Sequence, residues 1–362
     1  MDAKRNMTER LVKFIEQRCL KETFAALSRE VGIDDKTIRH VFDDYVAAKK
    51  QEVHFSTPEV LGIDELKIVG ENRCMLTNIE KLSVFDLLSS RKKSELMTYM
   101  GSLPDKNNVK VVVMDMWNPY KQVSQSIFPE IPIVADKFHV TRMANEALER
   151  VRKAIRKELD TRTRLKLKDE RFVLLKRRDG LSASELSKLD EWGTLFPALL
   201  TAYESKERFF VLYDHSNRED AEAAAKEWEK QLNPDVLWAF KDVRTAMHNW
   251  WNEIFNYCGF PVTNAYTESV NRLANDINRM GRGYSFEVVR ARLLYEDKAR
   301  DKTKTKLRKH VRKETTGMAR TTTNTTIQSP PKFYETVVEE RAVEYGPHIP
   351  TLCDLLESGH FD

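Results

Sequence analysis

Apolar positions recur at helical spacing through the first fifty residues. Leu11, Val12, Phe14, Ile15 and Cys19 form one stripe, and Ile38, Val41, Phe42, Tyr45 and Val46 form another. The pattern predicts a helix capped by Thr8, a short helix over about 22–31, and a third helix capped by Asp34. Gly32 supplies the turn between the last two, where a positive φ is needed. Small Ser28, Gly32 and apolar Ile38 have the spacing of a helix-turn-helix. In that reading residues 1–50 bind DNA. The third helix enters the major groove and turns Lys36, Thr37, Arg39 and His40 outward. A plain three-helix bundle is the alternative.

The period then changes. Residues 51–58 read as a linker ending at Pro58. Short β-rich runs follow at 59–66, 73–78 and 83–88, spaced as an antiparallel meander. A helix is expected over 91–100. The apolar runs at 111–115 and 131–135 read as buried strands separated by a short helix near 121–127. Meander followed by strand-helix-strand implies a mixed sheet.

From Val140 to Cys258 the pattern is helical and highly charged. Met143, Ala147, Val151, Ala154 and Ile155 mark a long amphipathic helix. Leu232, Phe240 and the tryptophans 228, 238, 250 and 251 supply bulk for a helical core. A helix is predicted over 263–280, with an apolar seam of Val270, Leu273, Ile277 and Met280, ending at Gly281-Arg282-Gly283. Another covers 286–298. Residues 320–331 are Thr, Ser and Pro rich and read as flexible.

The chain has 362 residues, 41% hydrophobic and 32% charged, which suits a globular protein of two or three domains. No apolar run is long enough for a membrane span, and the amino terminus lacks a signal-peptide core. Four dispersed cysteines form no CxxC pair, which argues against a zinc ribbon and favours a cytoplasmic location. Net charge is only +4, but it is uneven. Residues 142–178 hold 14 Lys or Arg against 6 acids, and residues 298–313 hold 9 against 1. The tail 331–362 is acidic. Such asymmetry favours a polyanionic partner. Arg152, Lys153, Arg156 and Lys157 are the candidates for tracking a DNA backbone, with binding that weakens as salt rises.

The acids give the candidate chemistry. Asp64 lies in the first predicted strand, Asp115 ends the fourth and Asp136 ends the fifth. Open α/β sheets place their chemistry at carboxyl ends of strands, and three acids delivered there suggest a divalent-metal site. Glu268 faces away from the seam of its helix, beside Asn271, Arg272 and Asn275. His139 could serve as a general base or ligand but reads first as a hydrogen-bonded residue at a helix start, and Trp117 and Tyr120 could stack on a flipped base but read first as packing beneath the site.

Four stretches carry a family resemblance: LGIDE at 61–65, VVMDMWNPY at 112–120, FPEIPIVADKFHV at 128–140, and TN-x-x-x-E at 263–268 with Gly281-Arg282-Gly283-Tyr284. Together they resemble DDE transposases, most closely the ISL3 type of bacterial insertion sequence. The resemblance implies an α+β fold with a ribonuclease-H-like mixed sheet, split as 59–139 and 261–300 around a helical insertion at 140–260. Residues 301–362 then form a basic segment and acidic tail. It implies Asp64, Asp115 and Glu268 as the catalytic triad and Asp136 as an auxiliary metal ligand or site-shaping residue. The cofactor would be Mg²⁺, with Mn²⁺ as substitute. Asn264, Asn271, Arg279 and Arg282 join the candidate DNA contacts. A homodimer or larger assembly would hold double-stranded terminal repeats and target DNA. Two ions about 3.5–4 Å apart could clamp the attacking and leaving oxygens of an in-line displacement, with Asp64 bridging them. The family glycines flanking the glutamate are replaced by Ala265 and Ser269. A metal-dependent nuclease without strand transfer, or a catalytically silent DNA-binding regulator, are the other readings.

Overall fold

The computed structural model describes residues 2 and 5–296. The basic run 298–313, the stretch 320–331 and the acidic tail lie outside the described residues. Helices α1 (Glu9–Arg18), α2 (Phe24–Val31) and α3 (Asp35–Glu52) open the chain. Thr8, Thr23 and Asp34 cap them, each side chain accepting an N–H from the first turn. Gly32 ends α2 at φ 69°, in the left-handed region that a Cβ disfavours. Helix α3 runs two residues into the expected linker. Lys49 and Lys50 suit its negative end, and the first breaker is Pro58.

The meander follows as β1 (Val60–Ile68), β2 (Glu71–Asn78) and β3 (Ser83–Leu88), paired antiparallel. Then come α4 (Lys93–Gly101), β4 (Val111–Met114), α5 (Asn118–Ile127) and β5 (Ile133–Ala135). Strand β4 pairs parallel to both β1 and β5, giving the order β3-β2-β1-β4-β5. Strand β1 is central, and β4 is buried throughout, as its unbroken apolar run requires. This is the ribonuclease-H-like mixed sheet that the resemblance implies.

Helix α6 (Lys137–Lys157) leads into the insertion. Its other helices are α7 (Thr161–Asp169), α8 (Arg171–Leu175), α9 (Ala183–Leu195), α10 (Pro197–Val211), α11 (Arg218–Lys230), α12 (Pro234–Leu237), α13 (Lys241–Asn249) and α14 (Trp251–Phe255). Trp192, Trp228, Phe240 and Trp250 fill its core. Trp238 does not: its ring is about half exposed, with the indole N–H on Asp235 O at 3.1 Å. It directly follows the four-residue helix α12, which buries Val236 instead.

Helices α15 (Ala265–Gly281) and α16 (Phe286–Tyr295) return to the sheet. The buried stripe of α15 is Thr267, Val270, Ala274 and Ile277, whereas Leu273 and Met280 are exposed. The small side chains of Thr267 and Ala274 let the helix lie close to β1 and β2, so the buried face is rotated from the bulky seam that the sequence suggests.

Candidate active site

Parallel register brings three acids into one row. Ile63 pairs with Met114, and Met114 with Ala135. The next residues along are Asp64, Asp115 and Asp136, and Asp136 N donates to Met114 O at 2.9 Å. Adjacent strands lie about 4.8 Å apart, which sets successive acids side by side across the sheet.

Asp64 is nearly buried. Its Oδ1 accepts from Glu65 N at 2.7 Å, and its Oδ2 accepts from Asn271 Nδ2 at 2.7 Å. Burial, reinforced by the Asp115 carboxylate, pushes its pKa up to about 8. Asp115 Oδ1 is buried with no hydrogen-bond donor in hydrogen-bonding geometry. His139 Nδ1 stands 2.9 Å from that oxygen, in ion-pair range, but its N–H is directed to Asp136 Oδ2 at 3.0 Å. Asp115 and Asp136 together push the imidazole up to about 10, against the opposing effect of burial. A protonated histidine therefore stands among these carboxylates. Donor atoms of Asp115, Asp136 and His139 all lie within 4.8 Å of one another.

Asp136 is fully buried, and its Oδ1 accepts from Asn264 N at 3.0 Å. Its two oxygens thus tie the start of α6 to the start of α15. Asn264 is fully buried as well: its Nδ2 donates to Ile63 O at 2.9 Å, and its Oδ1 accepts from Thr267. Glu268 lies on α15 between Asn264 and Asn271, about one turn from each, and is not among the residues whose donor atoms gather at Asp115. It is about one-third exposed, and one oxygen lies 3.7 Å from Arg272 Nη2. Below the row, Tyr120 is buried with its hydroxyl directed at Asp64 O, and Trp117 packs edge-on against it. A cleft of 260 Å³ opens over Asp115 and His139, bordered by Glu65, Arg142 and Glu146.

Gly62 makes this packing geometrically feasible. A Cβ there would stand 2.5 Å from Thr77 Oγ1, 2.7 Å from Thr267 Oγ1 and 2.9 Å from Asn264 Oδ1. Gly62→Ala is expected to push α15 off β1 at a cost of about 1–3 kcal/mol. A lowered midpoint in urea unfolding is the measurement. An unchanged midpoint would mean that the helix does not depend on this contact.

The candidate DNA contacts separate. Lys36, Arg39 and His40 are exposed on α3, but the Thr37 hydroxyl is bonded to Asp34 Oδ2 at 2.6 Å and belongs to the cap. On α6, Lys153 and Lys157 are exposed and Arg156 is half-buried. Arg152 is a correction. It is buried, held by Glu149 and by Leu167 O at 3.2 Å, so it braces α7 inside the insertion rather than meeting a phosphate. Asn264 is likewise withdrawn from solvent by the network above. Asn271 belongs to the acid row. Arg279 is exposed and paired with Asp276, and Arg282 is exposed at φ 46° after α15. His139 is hydrogen-bonded at the start of α6, as its sequence position suggests, and the same placement brings it beside Asp115. The available signal was its position, three residues beyond the Asp136 that precedes α6, where a side chain can reach back.

The mixed sheet, its helical insertion and the returning helix have the ribonuclease-H-like architecture of a transposase domain, here joined to a helix-turn-helix. Residues 61–293 match the ISL3 DDE family model described as transposase, and residues 1–46 match the helix-turn-helix domain of transposase family ISL3. A curated relative is the transposase for insertion sequence element IS1001 of Bordetella parapertussis. It is 24% identical over 285 residues, covering 77% of this chain and 70% of that protein. The chain belongs to the ISL3 transposase family. Among the described residues no helix is long and apolar enough to cross a membrane.

Proposed function

We propose that this transposase cuts the ends of its insertion sequence and joins them to target DNA, with Asp64, Asp115 and Glu268 as the acidic triad and Mg²⁺ or Mn²⁺ as cofactor. The observation that carries the reading is the row of Asp64, Asp115 and Asp136 at one register step, with α15 pinned across it. The donors suit a hard cation: they are carboxylate oxygens, one of them buried without a hydrogen bond. Asp64 and Asp115 would hold the metal, with Glu268 closing the site from α15. A bound divalent ion would supply Lewis-acid activation of the attacking water or 3′-hydroxyl. Asn271 orients Asp64 through its amide, and Asp136 fixes both His139 and the backbone of Asn264. His139, held protonated, offsets negative charge beside Asp115 until a metal or phosphate approaches. Transposition joins two ends, so we assign the activity to a homodimer or larger assembly.

The test is incubation of the full chain with duplexes carrying the element's own ends, Mg²⁺ and a target plasmid. Cut ends together with joined products support the proposal. Cut ends alone indicate a nuclease, and binding without cutting in Mg²⁺ or Mn²⁺ indicates a regulator.

Proton linkage gives a separate check. Both Asp64 and His139 have raised pKa values in the folded chain, so the fold binds extra protons. For Asp64 that stabilisation is lost as pH rises through about 8, and for His139 as pH rises through about 10. Metal binding requires the ionised carboxylate and works in the opposite direction. Between about pH 6.5 and about pH 8.5 the melting temperature in EDTA should therefore fall, while the increment produced by Mg²⁺ should grow. An increment that shrinks with pH would show that Asp64 does not ligate the ion.

A further inference from the structure

The helix-turn-helix and the catalytic sheet share one apolar cluster. Ile15, Leu27 and Phe42 belong to the same core as Met75, Ile277 and Val289. Phe24 and Tyr284 pack with ring centroids 5.1 Å apart, and Phe24 N donates to Tyr284 Oη at 3.3 Å. Arg39 Nη2 donates to Ser285 Oγ at 3.4 Å. The base-reading helix α3 is therefore seated against the turn that joins α15 to α16.

A cleft of 660 Å³ runs along this seam. Arg29 of α2, Lys36 and Arg39 of α3, and Arg282 of the turn line it, with Asp35 as the single acid among the described lining residues. Among the described residues, none of these four cations has an ion-pair partner. Four cations drawn from both domains, lining one groove and left uncompensated, call for an external polyanion. The adjoining α3 carries the groove-reading positions, which favours duplex DNA over a free anion.

We propose that this seam is a seat for backbone phosphates of duplex DNA, shared between the helix-turn-helix and the α15–α16 turn of the catalytic domain. Arg282 thereby contacts the same duplex that α3 reads. Helix α15 then connects the seat to Glu268, which lies about 20 Å away at a rise of 1.5 Å per residue. DNA held at the seam is thus held at a fixed reach from the acid row. The inference rests on the chain's DNA-binding role and not on its catalysis.

The test uses the full chain in EDTA, where no cutting occurs, with fluorescent duplexes of the element's end and of scrambled sequence. Arg282→Asn removes the charge but keeps a residue that tolerates the left-handed conformation. It should weaken binding to both duplexes by roughly 3–10-fold and lower the slope of log affinity against log salt by about one. Lys36→Ala should do the same on the scrambled duplex, and the double variant should lower the slope by about two. Arg282→Lys should restore the slope, and Lys230→Ala, on the insertion, should change nothing. Wild-type affinity and slope in a folded Arg282→Asn protein would overturn the seat and leave the transposase reading standing. Weakened binding at an unchanged slope would also overturn it, as an indirect effect on folding. Failure of the wild-type chain to bind either duplex would overturn both.

Discussion

Asp115→Asn is expected to lower strand cleavage by about a thousandfold or more while leaving duplex binding in EDTA at the wild-type value. The substitution is nearly isosteric and exchanges an anionic ligand for a neutral amide. Loss of a Lewis-acid ligand is worth several kcal/mol in the transition state, and each 1.36 kcal/mol is about tenfold in rate. The fold has little reason to change. His139 keeps its hydrogen bond to Asp136, and β4 keeps its buried run of Val111–Met114. Asp64 loses the like charge that helps to hold its pKa at about 8, so its pKa should fall toward the ordinary carboxylate range. Single-turnover cleavage of a labelled duplex and anisotropy in EDTA together separate chemistry from binding. Asp64→Asn and Glu268→Gln should act in the same direction. Cleavage by the Asp115→Asn protein within tenfold of wild type would remove Asp115 from the triad. Glu268→Gln is the most searching of the three, because that carboxylate is tied to the row only through its helix.

Much of this arrangement was legible in the chain itself. Thr8, Asp34 and Gly32 announced helix boundaries by local chemistry, and each does so without help from distant residues. The run at Val111–Met114 identified a strand buried on both sides. Register was not legible. That Asp64, Asp115 and Asp136 stand in one row depends on which residue of β4 meets which residue of β1 and β5, and a strand's own pattern is silent on its partner's offset. The same holds for roles that arise only on contact. Asn264 and Asn271 look alike as polar residues near a glutamate, yet the first is sealed against Ile63 O and the second holds Asp64. Arg152 carries the charge expected of a DNA contact but is turned inward, because α7 crosses its face and offers a carbonyl. Burial of a charged side chain is a tertiary fact, and composition alone assigns such residues to the surface.

Arg292 is the clearest such case, and its removal is expected to cost about 2–5 kcal/mol of stability. The side chain is almost fully buried, on α16. Its Nη2 donates to Cys19 O at 2.8 Å, to Glu22 O at 2.5 Å and to Tyr284 Oη at 3.0 Å. Cys19 is the residue at which α1 ends, so the guanidinium serves carbonyls that the helix leaves unpaired, at the end where its dipole favours a cation. The same group lies 4.6 Å from the Tyr284 ring centroid and 5.2 Å from that of Phe24. Burial lowers its pKa, with Tyr284 among the groups that oppose the shift. Arg292→Ala would leave the buried Cys19 carbonyl and the part-buried Glu22 carbonyl without this donor and open a space between α1, α2 and α16. Against a typical total of about 5–15 kcal/mol this is a large fraction, and urea unfolding should show it as a lowered midpoint. Arg292→Lys keeps the charge but cannot reproduce the planar fork, so it should recover only part of the loss. Because the lost contacts join the reading domain to the catalytic domain, cleavage should fall further than duplex affinity in whatever fraction remains folded. A wild-type midpoint for Arg292→Ala would mean that the apolar cluster alone holds the two domains together.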